Sequence, residues 1–214
     1  MRAGERLIAN DGYEVMLFPL EYMNISQGEN GSYSHQGTYN IDFLGWGANG
    51  RILKCPYYAP CSCRCVQAWG GGSNANGRIY QSDNKVHTPY GLQYVNFLFF
   101  HDDNPSSIVG THFNQGDLIG HTGTEGIGVT GDHVHMNTAN GTYQGYEHVP
   151  PDNRGQLINS NHIYDICYVN DTVLYNDYNY NWQIYQGGIT PTEPKKYHFK
   201  WVLYANKIRE RNNS

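Results

Sequence analysis

Apolar residues in this chain come in short runs, alternating or continuous. Glycine-rich stretches at Gly45–Gly50, Gly70–Gly77 and Gly123–Gly131 punctuate them. Alternation broken by turn residues predicts antiparallel strands rather than helices. Strands are predicted at Tyr22–Ser26, Asn40–Leu44, Cys63–Trp69, Val95–His101 and Asp132–Thr138. A tyrosine-rich strand pair is predicted over Ile163–Val169 and Val173–Tyr185, turning at Asn170-Asp171. No heptad and no internal repeat is visible. The two prolines of Thr190–Pro194 predict a stiff linker. Beyond it, Lys195–Arg211 can form a short helix with Tyr197, Trp201, Tyr204, Ala205 and Ile208 on one stripe and cations elsewhere. The pattern therefore predicts a mainly β main domain over residues 1–188, with antiparallel sheets and few helices. A linker over 189–194 and a basic amphipathic tail over 195–214 follow.

Composition agrees with that picture. Gly (25) and Tyr (19) are abundant in the 214 residues, a mix that favours turns and strands over helices. The net charge of -5 is unevenly spread. Residues 193–214 hold six of the fourteen basic residues against two acidic ones, and the rest carries eight basic against seventeen acidic. A body that acidic argues against nucleic acid as a partner, since phosphate contacts need a basic face. No apolar run approaches the length of a membrane span, and residues 1–9 lack the apolar core of a secretory signal. The expectation is synthesis in a host cytoplasm. The five cysteines (Cys55, Cys61, Cys63, Cys65 and Cys167) are then expected as free thiols, with Cys61, Cys63 and Cys65 on one face of a strand.

Two of the ten histidines form His133-Val134-His135, where strand geometry puts both imidazoles on one face. Upstream, His35 and Asp42 are linked by a glycine-containing turn, and Asp42 lies between Ile41 and Phe43 in a predicted strand. Burying a carboxylate there without a partner costs several kcal/mol, and no cation lies nearby before Arg51. Two histidines and one carboxylate make three ligands, the count of a catalytic zinc site with a position open for water. Geometry alone does not say which of His133 and His135 is the ligand. The histidines at 87, 112, 121, 148, 162 and 198 have no motif around them and read as surface or locally bonded groups.

Ordered motifs sharpen this reading. Ser34–Phe43 resembles the first zinc motif of the lysostaphin-type (LytM, M23) peptidases, in the longer-spaced form of tail-associated peptidoglycan lysins from short-tailed phages of Gram-positive bacteria. Tyr58-Ala59-Pro60 followed by Val66 resembles the family's "APxxGxV" strand, with Cys63 where a glycine is usual. Phe99-Phe100-His101 resembles "Y-x-H", Gly116–Gly120 through Gly123 resembles "GDxIGxxG", and Gly131–His135 resembles "GxHxH". The matches run in family order over residues 17–140. The resemblance implies one zinc ion held by His35, Asp42 and His135, with His101 and His133 as catalytic imidazoles. It implies a zinc endopeptidase cutting stem or cross-bridge peptides of peptidoglycan, carried at a phage tail tip and acting on the wall during entry or lysis. The tail would dock on phage tail proteins. Asn137 stands where the family often has glutamate.

Two rivals bear on this. A D,D-carboxypeptidase of the M15 type shares the His-to-Asp step, but Gly37 and Ile41 depart from its pattern and its closing E-x-x-W-H is absent. A non-catalytic wall-binding or tail-structural protein on a decayed peptidase fold would be expected to have lost some of these five residues.

Overall fold

The computed structural model describes residues 1–151 and 154–168. The predicted strand Val173–Tyr185, the linker 189–194, the tail 195–214 and His198 lie outside the described residues. In chain order the strands are β1 (Ile25–Gln27), β2 (Ile41–Phe43), β3 (Trp46–Gly47), β4 (Gly50–Arg51), β5 (Pro56–Tyr58), β6 (Cys63–Ala68), β7 (Arg78–Ser82) and β8 (Val86–Thr88). They continue as β9 (Gly91–Gln93), β10 (Val95–Phe100), β11 (His112–Phe113), β12 (Leu118–His121), β13 (Val134–Asn140), β14 (Tyr146–Val149), β15 (Arg154–Leu157) and β16 (Ser160–Asn161). One helix, α1 (Ile163–Ile166), follows. The architecture is mainly β and antiparallel, as the pattern predicts.

The main sheet runs β1-β2-β13-β10-β7-β6-β11, with β16 pairing the far end of β13. Strand β10, Val95-Asn96-Phe97-Leu98-Phe99-Phe100, is apolar on both faces because both faces are covered. Val95, Phe97 and Phe99 enter the larger core with Tyr80, Val134, Met136, Ile41, Phe43, Cys63 and Cys65. Leu98 and Phe100 pack on the other side with Ile79, Ala139, Leu157, Trp69 and Tyr146. Asp42 and His135 alternate with the core residues of β2 and β13, so they point to the second face. The groove lies there.

Two expectations are corrected. The strand predicted at Ile163–Val169 is instead a single helical turn from Ile163 to Ile166, with Ile163, Ile166 and Cys167 in the main core. A spacing of three and four residues puts them on one helical face, and burial there outweighs the β preference of Ile and Tyr. The first strand starts at Ile25 rather than Tyr22, with an irregular register between Ile25 and Gln27. All five cysteines are free and buried, as expected, with Cys63 and Cys65 on the core face of β6.

Candidate metal centre and catalytic groove

The centre is assembled by register. On adjacent antiparallel strands β2 and β13, Asp42 stands opposite His135. Phe100, at the end of β10, stands opposite His135 from the other side. His35 arrives from the loop before β2, fully buried, its Nδ1 donating to the Gly28 carbonyl at 3.1 Å. With that proton committed, the neutral ring presents an Nε2 lone pair inward.

Three acceptor atoms then face one another. His135 Nδ1 lies 2.9 Å from Asp42 Oδ1, and His35 Nε2 lies 3.2 Å from both. Burial alone would raise the Asp42 carboxyl, yet the His135 and His35 imidazoles beside it hold it well below the usual carboxylate range. Burial pushes the His135 imidazole down, against the pull of Asp42. An ionised carboxylate and two nitrogen lone pairs within one pocket repel unless a cation sits among them. Ligands about 2.0–2.1 Å from a tetrahedral zinc are separated by roughly 3.4 Å, close to the sides of this triangle. The donor set fits zinc. His35, Asp42 and His135 are the one group of metal-ligating side chains among the described residues that converges this closely.

Gln27 completes the support. Its amide donates to Asp42 Oδ2 at 3.0 Å and to Ser34 Oγ at 2.8 Å, leaving Oδ1 turned to the centre. Sequence reasoning missed Gln27, because nothing in a three-residue strand marks one glutamine as the orienting group.

His101 and His133 lie beyond this triangle, their rings 4.5 Å apart between centroids. Each has its tautomer set by a backbone carbonyl at 2.7 Å. His101 Nδ1 donates to Glu125, and His133 Nδ1 donates to Gly131. Both Nε2 atoms are therefore acceptors in the neutral ring. His133 Nε2 is 3.7 Å from Asp42 Oδ1, further than either ligand candidate. Burial, reinforced by the neighbouring His135 and His133, pushes His101 down to about 3, so it is neutral at neutral pH.

His101 has φ 81, a left-handed conformation uncommon outside glycine. Its backbone N–H donates to Ala75, and Gly123 seals the other side. A Cβ on Gly123 would overlap the His101 carbonyl oxygen, so only glycine allows the approach. Gly123 also exchanges two backbone hydrogen bonds with His133, each 3.0 Å, joining the two imidazoles through one residue. Asp132 is buried and anchors that loop, taking Thr122 Oγ1 at 2.5 Å and the Lys54 amide at 3.1 Å. Arg51 donates to the Asp132 carbonyl.

The groove has a volume of about 950 Å³, and its walls include Asp42, His101, His133, His135, Tyr146 and Arg154. Asn137, opposite Leu98 and two residues along β13 from His135, is fully buried. It accepts the Leu157 amide and donates to Ser160 Oγ, so it fastens β15 and β16 to β13. Of the motif-free histidines, His87 pairs with Asp11 at 2.8 Å, His112 with Asp83 at 3.4 Å and His162 with Glu29 at 2.5 Å.

No family model matches the chain. Solved structures similar to it include the lysostaphin catalytic domain from Staphylococcus simulans, at 19% identity and TM-score 0.37, covering 55% of this chain and 79% of that one. A zinc-containing peptidase from Vibrio cholerae matches at 16% identity and TM-score 0.41, covering 71% and 44%. A point mutant of the catalytic domain of the prophage-encoded M23 protein EnpA from Enterococcus faecalis matches at 15% identity and TM-score 0.40, covering 64% and 88%. Among curated relatives, morphogenesis protein 1 of Bacillus phage B103 is 39% identical over 175 residues. That match covers 80% of this chain and 45% of the relative, so the chain spans less than half of that protein's length.

Proposed function

We propose that this chain is a zinc-dependent endopeptidase that hydrolyses peptide bonds in the stems or cross-bridges of bacterial peptidoglycan. The observation that carries the reading is the convergence of His35 Nε2, His135 Nδ1 and Asp42 Oδ1 beside two imidazoles of fixed tautomer. His35, Asp42 and His135 would hold the ion. Bound there, zinc would polarise the scissile carbonyl and acidify a water. His133 and His101 present Nε2 acceptors to the groove, where one takes the water's proton. Once protonated, the same edge donates to the developing oxyanion or the leaving amine. The locked Nδ1 protons keep both rings from turning away.

The likeness to a phage morphogenesis protein supports a virion-associated role, and with the peptidase reading that role would be local wall degradation during entry or lysis. Residues 195–211 would be the attachment element, docking through the Trp201 stripe on a phage tail protein after the 189–194 linker. Truncation after Gly188 is expected to leave hydrolysis of soluble muropeptides intact while weakening particle association.

The test is mass spectrometry of muropeptides from several Gram-positive walls after digestion, paired with metal analysis of the purified protein. New amine and carboxyl termini at one peptide bond, lost with chelator and regained with zinc, are expected. Intact muropeptides from a folded, zinc-loaded protein would overturn the reading.

A further inference from the structure

One wall of the groove is the β14–β15 hairpin, with Val149 opposite Arg154 and Tyr146 opposite Leu157. It is fastened to the segment that carries the centre. Asn40 Nδ2 donates to the Gly155 carbonyl at 2.9 Å, two residues before Asp42. Gly155 has no room for a side chain, since a Cβ there would overlap the Tyr146 hydroxyl. The hairpin therefore holds Arg154 in the groove lining as part of the same rigid wall.

The guanidinium of Arg154 has no acidic or carbonyl partner among the described residues. Its Nε is buried and makes no hydrogen bond, and Asn40 Oδ1, on the neighbouring segment of the same wall, is likewise buried and unpaired. Buried polar atoms are nearly always satisfied, and the half-buried Arg154 charge has lost part of its hydration without a protein partner among the described residues. The other arginine of the lining, Arg51, is already engaged by the Asp132 carbonyl. With its Nε buried and unpaired, the half-buried guanidinium in the groove lining suits a ligand that offers a carboxylate. The acidic body makes the cation more telling, because seventeen of the nineteen carboxylates lie in residues 1–192 and no described one pairs with it.

We propose that Arg154 is a specificity-determining residue that pairs with a side carboxylate of the peptide substrate. This rests on the peptidase reading for the identity of the ligand. Stem peptides carry carboxylates that can be free or amidated, so Arg154 selects the free form. A fork of donors suits a carboxylate, and a carboxamide offers it half as many acceptors.

The test uses a fluorescent cross-linked stem-peptide dimer with its side carboxylates free, and the same dimer with them converted to carboxamides. Binding is measured by anisotropy and turnover by mass spectrometry, with the full zinc-loaded chain. The wild type should prefer the free form by about tenfold to a hundredfold in Kd, the usual range for a hydrogen bond to a charged group. Arg154→Gln should erase the preference by weakening the free dimer far more than the amidated one, and Arg154→Lys should keep part of it. Equal binding of both dimers by the wild type overturns the inference even if Arg154→Gln fails to fold. So does a preference that survives in Arg154→Gln. A binding preference that follows Arg154 without any hydrolysis upholds this inference and defeats the peptidase reading instead.

Discussion

Replacing each histidine of His133-Val134-His135 by alanine separates the two roles assigned to one strand face. Two atoms bound to the same zinc at about 2.1 Å lie at most roughly 4.2 Å apart. The ligand atoms of His35, Asp42 and His135 all fall within 4.8 Å of one another, and no fourth described residue joins them. His133 therefore stands outside any ion placed among the three. A structural zinc site with four ligands is worth about 10–16 kcal/mol, or roughly 2.5–4 kcal/mol per ligand shared equally. Losing His135 should thus weaken zinc binding by about two to three orders of magnitude. His133→Ala should keep stoichiometric zinc and lose about two to four orders of magnitude in turnover, the usual contribution of a general base. The assay is metal analysis of both purified variants after dialysis, followed by muropeptide turnover at saturating zinc. Equal zinc loss in the two variants would refute the division.

Gly123→Ala is expected to destabilise the fold by about 1–3 kcal/mol or more, since the new methyl would collide with the His101 carbonyl. Turnover should fall with it, and an unchanged melting temperature would contradict the packing argument. Thiol titration in denaturant without reductant should count five groups, with slow reaction in the native state because burial raises the Cys61 and Cys63 thiols well above their usual range. Three or fewer would show disulfides. At His162, burial lowers the imidazole, but the Glu29 hydrogen bond and charge outweigh it and raise its pKa above the ordinary value of 6.5. Its contribution to stability is therefore complete below about pH 6.5 and fades as the pH rises through the raised value. His162→Gln should flatten the melting profile above about pH 6.5, and an identical slope in the variant would count against the pair.

The sheet was legible where sequence pattern and burial coincide. Strands β2, β6 and β10 fall inside predicted runs, and β13 overlaps its run but continues to Asn140, because their side chains alternate against two covered faces or are apolar throughout. What escaped is structure set by distant contacts. Ile163-Tyr164-Asp165-Ile166 has strand-forming residues, and it turns helical because the core accepts Ile163 and Ile166 from one side. The β14–β15 hairpin has no alternating apolar run to announce it, so Arg154 was invisible as a groove residue. Gln27 likewise gains its meaning only when β1 pairs with β2 and its amide meets Asp42.

The candidate site shows the same limit at finer grain. Alternation places His133 and His135 on one face but assigns them identical surroundings. Cross-strand partners separate them. His135 is paired with Asp42 on β2 and Phe100 on β10, deep in the sheet, where burial leaves an acceptor facing two others. His133 lies just before β13 and pairs instead with Gly123, outside the main sheet. That bridge carries it to His101, whose strained backbone the same glycine closes over. A shift of one residue in the β2–β13 register would set Asp42 against Val134 or Met136 and break up the cluster. Core burial opposes that shift, because it would turn the slipping strand's pair, Ile41 and Phe43 or Val134 and Met136, toward the groove. Hydrophobic burial on one face thus fixes the arrangement of the candidate ligands on the other.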